Sequence, residues 1–287
     1  MKQPEPDLED DLGDILEKAA RHHALAADHI AAAARVPVDR IKDALDYRSE
    51  LTDAELGRLA QVLQLNEVGL IALARGQYPR PEPARLPFLL HPLRMPFGVG
   101  VANAYLVSTG GNRAVLFDTG ASHAELHRAW PAQIGELDGV YVTHYEAEHV
   151  GGLERVLQES GLPHFHGPAT RRFDRCRALG EGEKIECGGF AITAHSTPGH
   201  AAEHNCYRVR LAVTKASAGS PAAADEVLIS GDLIFAGSLG GGYFCCQRQL
   251  KHSRRILDLV SPDILIAPGH GPLTTAANEK RYNPFLG

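Results

Sequence analysis

The stretch VYVTHYEAEH, residues 140–149, runs from an apolar, strand-like segment into a hexapeptide holding two histidines and two carboxylates. His144, Glu146, Glu148 and His149 offer imidazole nitrogens and carboxylate oxygens, the donors of transition-metal sites. A solvated polar loop could carry the same residues, so the hexapeptide alone decides little. The rest of the chain repeats its pattern. FAITAHSTPGH (190–200) closes on His200, VLISGD (227–232) on Asp232, and DILIAPGH (263–270) on His270. Four strand-like runs in order, each closed by a metal-ligand residue, are hard to produce by chance. Strand ends are rigid, and the loops beyond them can converge on one edge of a sheet. Gly199, Gly231 and Gly269 each precede a candidate ligand, where glycine permits a sharp turn and close backbone approach. AVLFDTG (114–120) adds a fifth apolar run, and ELHRAW (125–130) and GLERVLQES (152–160) read as helices. Strands alternating with helices predict an α/β domain. The small-residue stretch TKASAGSPAAAD (214–225) reads as a hairpin tip or insertion with no part in the chemistry.

The preceding region has a different texture. Residues 12–76 read as helical. HIAAAARV and DRIKDAL suggest two short helices around the Pro37 turn. Thr52 and Glu55 form a T-x-x-E capping box, and Leu56, Leu59, Ala60 and Leu63 share one apolar helix face. Asn66 caps a further helix that Gly76 closes. YPRPEPARLP then places Pro79, Pro81, Pro83 and Pro87 in one short stretch, which favours an extended linker. The expected organisation is an all-α domain over 1–78, a linker over 79–88 and an α/β domain over 89–287.

Composition adds bounds. Of 287 residues, 44% are hydrophobic and 22% charged, as in ordinary globular chains. The acidic start MKQPEPDLEDD lacks the apolar run of a signal peptide, and no stretch approaches 18 consecutive apolar residues. Five cysteines without a CxxC spacing fit a reducing, cytoplasmic setting. Cys245 and Cys246 read as small fillers. Residues 1–76 carry nine Lys and Arg against fifteen Asp and Glu, a net −6 equal to that of the whole chain. His22, His23, His29, His164, His166 and His252 need no metal to explain them.

Taken together, NAYLV (103–107), LFDTG (116–120), HYEAEHVGGL (144–153), TPGH (197–200), SGDLIF (230–235) and PGHGP (268–272) resemble the metallo-β-lactamase-fold superfamily, in its order. The resemblance implies an αββα sandwich with a dinuclear metal site at one edge. It implies His144, Glu146 and His200 on one metal, Glu148, His149 and His270 on the other, and Asp232 bridging them. Asp118 would lie beneath the site and orient a ligand histidine. The superfamily's usual hydrolase motif is H-x-H-x-D-H. Glu146 replaces its second histidine, as in the H-x-E-x-D-H motif of flavodiiron proteins. Glu148 replaces its aspartate, which matches neither pattern and lengthens that arm by one methylene. Four imidazoles and three carboxylates shift preference from zinc towards iron or manganese. Two divalent ions would also be balanced by those carboxylates and one hydroxide.

Around this set, His195 and His204 flank His200 and are offered as supporting or solvent-facing residues. Tyr145 and Tyr243 are offered as pocket lining, against plain packing. Three functions follow. The first is a di-iron protein that binds, reduces or senses O2 or NO, or uses O2 on a substrate. With no flavodoxin-like region here, its electrons would come from a separate protein. The second is a metal-dependent hydrolase of an ester, thioester, lactone or phosphoester. The third is regulation through residues 12–76, which resemble a Cro/repressor-type helix-turn-helix. DHIAAAARVPVDRIKDALDY would be its second and third helices, and LTDAELGRLAQVLQLNEVGLIAL its fourth and fifth. Arg40 and Lys42 face Asp39, Asp43 and Asp46, a poor balance for neutralising phosphates. The region is therefore expected to mediate homo-oligomerisation or docking rather than DNA binding.

Overall fold

A computed structural model describes residues 7–46, 48, 50–82, 85–212 and 225–287. Five helices come first: α1 (Leu12–His22), α2 (Ala27–Ala34), α3 (Val38–Leu45), α4 (Asp53–Leu63) and α5 (Glu67–Ala74). Their ends follow local chemistry. Asp11 and Asp14 form a reciprocal capping box on α1, as Thr52 and Glu55 do on α4, and the Asn66 side chain caps α5. Gly76 adopts a left-handed φ of 64° just past α5, the conformation glycine supplies at helix ends.

Two six-stranded sheets follow. The first runs in order β1 (Leu89–Phe97), β2 (Gly100–Ser108), β3 (Arg113–Phe117), β4 (Glu136–Tyr141), β5 (Phe165–Gly167) and β6 (Cys176–Ala178). The second contains β7 (Lys184–Cys187), β8 (Phe190–Ser196), β9 (Asn205–Leu211), β10 (Glu226–Gly231), β11 (Leu265–Pro268) and β12 (Thr274–Thr275). The first sheet mixes antiparallel β1–β2–β3 with parallel β3–β4–β5–β6. In the second, only β10 and β11 pair in parallel. Along the chain, α6 (His123–Ala129), α7 (Ala147–Val150), α8 (Leu153–Ser160) and α9 (Cys246–Leu259) fall between successive strands, and α10 (Ala276–Tyr282) follows β12.

Alternation along the strands sorts side chains into layers. Tyr105, Val107, Val115, Phe117 and Tyr141 of the first sheet meet Phe190, Ile192, Tyr207, Val209 and Ile229 of the second. Their neighbours Leu106, Leu116 and Val140 face outward onto Leu126, Leu153, Val156 and Leu157 of α6 and α8. The expected αββα sandwich follows from these two faces. On the far side, Leu228, Ile266, Ile256 and Leu257 join one hydrophobic cluster with Ile15, Leu16, Ile41, Leu56 and Leu59. The N-terminal helices therefore share a core with the outer layer of the second sheet.

Strand β1 had no clear sequence signal because Pro92 and Pro96 interrupt it. It lies at the edge of its sheet, where a residue without an N–H costs no ladder bond. β9 and β10 pair antiparallel, and of the stretch 214–225 expected as a hairpin tip between them, only Asp225 falls within the described residues. In the helical region Arg40 donates to both Glu55 oxygens, at 2.9 and 2.8 Å. That hydrogen-bonded guanidinium holds the Glu55 carboxyl down to about 2. One of the two cations considered for phosphate contact is thus engaged by its own module.

Two histidines, His166 buried and His22 half-buried, give this fold a pH dependence. His166 stacks on Tyr141 with ring centroids 4.8 Å apart, and burial pushes its imidazole down to about 4. His22 packs against Phe285, and burial, with Arg21 beside it, likewise lowers it to about 4. The unfolded chain takes up these protons near 6.5 and the folded chain does not. Stability is therefore full above that pH and is lost as pH falls towards 4, by roughly 2 kcal/mol per histidine at about pH 5 and about 3 kcal/mol at about pH 4. Thermal melts at pH 7 and pH 5 should show a drop in Tm that shrinks in His166→Phe. An equal drop in that variant would exclude His166 as a source.

Candidate metal centre

His144, His200, Asp232 and His270 sit within a few residues past the end of a strand, Glu148 and His149 lie on the short helix α7, and specific contacts hold several of them in place. Asp118 follows β3 in a left-handed conformation, φ 58°, that non-glycine residues seldom adopt. There its carboxylate accepts from the Thr143 N–H at 2.7 Å and the Thr143 hydroxyl at 2.8 Å. The same carboxylate lies 3.1 Å from His149 Nδ1. Asp118 thus ties the stretch after β4 to the loop after β3 and lies against one imidazole. Asn103, the first residue of NAYLV, donates its side-chain N–H to the carbonyls of Pro268 and Gly271 at 3.1 and 2.9 Å. That clamp shapes the PGHGP loop, and His270 Nδ1 then lies 3.0 Å from the Val101 carbonyl. Gln249 of α9 donates to the carbonyls of Asp232 and Leu233 at 2.9 and 3.0 Å, fixing the backbone that presents Asp232.

The glycines are there for space. A Cβ on Gly269 would stand 2.1 Å from Asp232 Oδ1, and one on Gly199 would stand 2.5 Å from the Gln249 backbone. Gly231 also needs its left-handed φ of 50°.

These contacts bring the ligands together. One donor atom each from His144, His200 and Asp232 lie within 4.8 Å of one another, and so do donors from Glu148, His149 and His270. Asp232 lies between the groups. Its Oδ1 is 3.4 Å from His149 Nε2, and its Oδ2 is 3.6 Å from His200 Nε2 and 3.5 Å from His270 Nε2. Glu146 stands at the solvent edge, 37% exposed, with Oε1 3.1 Å from His200 Nε2. It is outside the compact trio and beside it.

The donor atoms are those a cation needs. His144 Nε2, His149 Nε2, His200 Nε2 and Asp232 Oδ1 are buried without a hydrogen-bond partner. Unpaired buried polar atoms are costly in a native core, and several pointing at one point mark a metal position. The electrostatics agree. Burial pushes the His144 imidazole well below its ordinary value. Burial would do the same to His149, but Asp232 and Asp118 hold it well above. Burial opposes ionisation of Asp232, yet His270 and His149 keep it well below the usual carboxylate range. Metal ions would take the place of those protons, so the residues present fit a dinuclear site.

The remaining candidates separate. His204 is buried behind His144, ring centroids 5.1 Å apart, with Nδ1 2.8 Å from the Thr197 hydroxyl. Tyr243 borders the cleft and its ring lies 5.5 Å from that of His200. Tyr145 is not pocket lining. It turns into the core against Phe173, and its hydroxyl donates to the Pro168 carbonyl at 2.6 Å. His195 does not support the centre either. Ala194 before it points into the inter-sheet core, so His195 faces the other way, to Glu181 at 3.0 Å. Sequence reading missed Thr143, Asn103 and Gln249, whose roles depend on contacts with no local signature. It also missed the N-terminal contribution. The cleft over the centre, about 1400 Å³, has Glu9, Lys18 and Arg21 on one wall and Phe97 and Val99 of the β1–β2 turn on another. The Arg21 guanidinium covers the Tyr243 ring at 5.4 Å.

Comparison with known proteins agrees with this geometry. Residues 97–210 match the family model of the metallo-beta-lactamase superfamily. Rv2581c, an uncharacterized protein of Mycobacterium tuberculosis, is 25% identical over 221 residues, 67% of this chain and 95% of its own. Hydroxyacylglutathione hydrolase of Salmonella typhi is 26% identical over 167 residues, 58% of this chain and 60% of that enzyme. Among solved structures, the B3 metallo-beta-lactamase BLEG-1 superposes with a TM-score of 0.53 at 25% identity, covering 69% of this chain and 99% of its own. TTHA1623, solved in a di-iron-bound form, gives 0.50 at 27% identity, with 66% and 98% covered.

Proposed function

We propose that this chain, whose residues 97–210 match the metallo-beta-lactamase superfamily model, is a dinuclear metalloenzyme with an iron-favouring centre that acts on an organic substrate. One observation carries the reading: a donor set of four imidazoles and three carboxylates is gathered at one end of a cleft of about 1400 Å³, with His200, Asp232, His270, Glu146 and Glu148 lining it and His144 and His149 buried. Oxygen-rich donor sets move preference from zinc towards iron. A cleft of that size exceeds what a diatomic gas needs and suits a small organic molecule. That favours use of O2 on a substrate over reduction or sensing of O2 or NO alone. The likeness to a di-iron-bound TTHA1623 supports the metal preference.

His144, His200, Asp232 and Glu146 would hold one ion, and Glu148, His149 and His270 the other, with Asp232 shared. Bound there, the pair would supply Lewis acidity and, as iron, one-electron redox capacity. The chain's own part is orientation. Asp118 keeps a proton on His149 Nδ1 and leaves Nε2 free to ligate, and Val101 does the same for His270. The Thr143 hydroxyl, 3.0 Å from His144 Nδ1, orients that ring in turn. Phe97, Val99 and Tyr243 provide apolar surface in the same cleft, and Arg21 places a cation at the rim.

A second reading, hydrolysis of an ester or thioester, is favoured by the 26% identity to hydroxyacylglutathione hydrolase. Metal analysis of protein expressed without added metal, with an optical spectrum taken before and after oxygen, separates the two. Two irons per chain with a near-ultraviolet band are expected. Two zincs in a colourless, esterase-active protein would replace the iron reading with the hydrolytic one.

A further inference from the structure

The N-terminal helices could have been an appendage to the sandwich, and their contacts say otherwise. Residues 7–11 run along the loop that carries His270. A Cβ on Gly271 would lie 3.2 Å from the Glu9 backbone nitrogen, and one on Gly100 would lie 3.6 Å from Glu9 Oε1. Glu9 is thus lodged between the β1–β2 turn and PGHGP. Its Oε1 is 3.5 Å from His270 Nδ1, the nitrogen opposite the one that faces Asp232.

This segment is fastened on both sides. Asp10 is buried and accepts from the Lys18 ammonium and the Ser238 hydroxyl. Asp11 caps α1. Lys18 also donates to the Leu239 carbonyl at 2.8 Å, and Arg21 to the Gly241 carbonyl at 3.3 Å. The loop so held includes Gly240, where a Cβ would stand 2.9 Å from His200 Nδ1.

We infer that Glu9, delivered from outside the sandwich by the N-terminal helical region, is a positioning residue for His270. The inference rests on the dinuclear reading above. The Val101 carbonyl already orients the His270 ring, so the carboxylate adds charge: it strengthens the imidazole as a donor and lowers the energy of a cation bound to it. Carboxylates behind ligating histidines typically contribute about 10- to 100-fold in metal affinity. The helical region would then be part of the metal site, and its docking and metal binding would each favour the other.

The test is cobalt(II) binding to the full-length chain, read from its visible absorption in competition with a chelator. Wild type should bind two equivalents. Glu9→Gln, which keeps shape and removes charge, should weaken one equivalent about 10-fold and leave the other unchanged. Its Tm in excess EDTA should equal that of wild type. Glu9→Gln should have no added effect in a His270→Ala background, and Asp39→Asn, on α3, should bind cobalt as wild type does. Wild-type affinity in Glu9→Gln overturns the inference and leaves the dinuclear reading standing, even if Glu9→Ala binds more weakly, since that loss would be one of packing. Failure of the wild type to bind cobalt overturns both.

Discussion

Asp232→Ala should strip the protein of both metal ions while leaving its fold intact. The carboxylate lies within 3.6 Å of imidazole nitrogens from His149, His200 and His270, which come from three separate stretches of the chain. Asp232 is thus a carboxylate that lies against imidazoles of both groups. Loss of a contact that merely supports a ligand lowers metal affinity about 10- to 100-fold, and loss of a shared ligand should exceed that range for both ions. Metal analysis after gel filtration, beside far-ultraviolet circular dichroism, checks this. Glu146→Ala provides the contrast. The Glu146 carboxylate lies 3.1 Å from His200 Nε2, in the first group, so one ion should be lost and the second partly retained. Retention of both ions at wild-type affinity in Glu146→Ala would exclude Glu146 as a ligand. Retention in Asp232→Ala would overturn the bridged arrangement itself.

The second large effect is on stability. Glu279 of α10 is fully buried and accepts from the Tyr78 hydroxyl at 3.1 Å and the Thr274 hydroxyl at 2.6 Å. It also accepts from the Asn283 side chain at 2.8 Å and the Gly237 N–H at 3.1 Å. Burial raises its carboxyl above the ordinary value, while these donors pull it down. The hub joins the end of the helical region, through Tyr78, to the loop that follows Asp232. Glu279→Ala leaves several buried donors unmatched, which should cost about 4 kcal/mol. For a chain of this size that corresponds to a fall in Tm of roughly 10 °C. Glu279→Gln keeps the shape and some of the acceptors, and should lose less than half as much. Equal melting of Glu279→Ala and wild type would show that the hub does not hold these elements together.

Much of the fold was legible because its signals are local. Strands that lie against both a second sheet and a helix layer must be apolar on both faces, so β3, β4, β10 and β11 read as short continuous runs. The helix caps at Thr52 and Asn66 read directly, since a cap is a contact between residues three apart. Edge strands and very short ones did not read. β1 carries two prolines, and β5 has only three residues, too few for alternation to show.

At the site, the sequence by itself determined which donors exist and that His144, His200, Asp232 and His270 each follow a strand. It also determined the glycines before them, since no other residue fits beside Asp232 or against Gln249. Tertiary structure decided how the donors group. Asp232 reaches from its own trio to the other because β10 and β11 pair in parallel and their ends meet the stretches after β4 and β8. It also decided against Tyr145 and His195, whose side chains point away for reasons of strand alternation and packing that depend on which face the sheet buries. Most of all, it decided that Glu9 reaches His270. The two are 261 positions apart, and what joins them is a hydrophobic cluster shared by α1, α9 and the second sheet. Such a contact arises from the packing of whole elements, and no periodicity or motif within either segment encodes it.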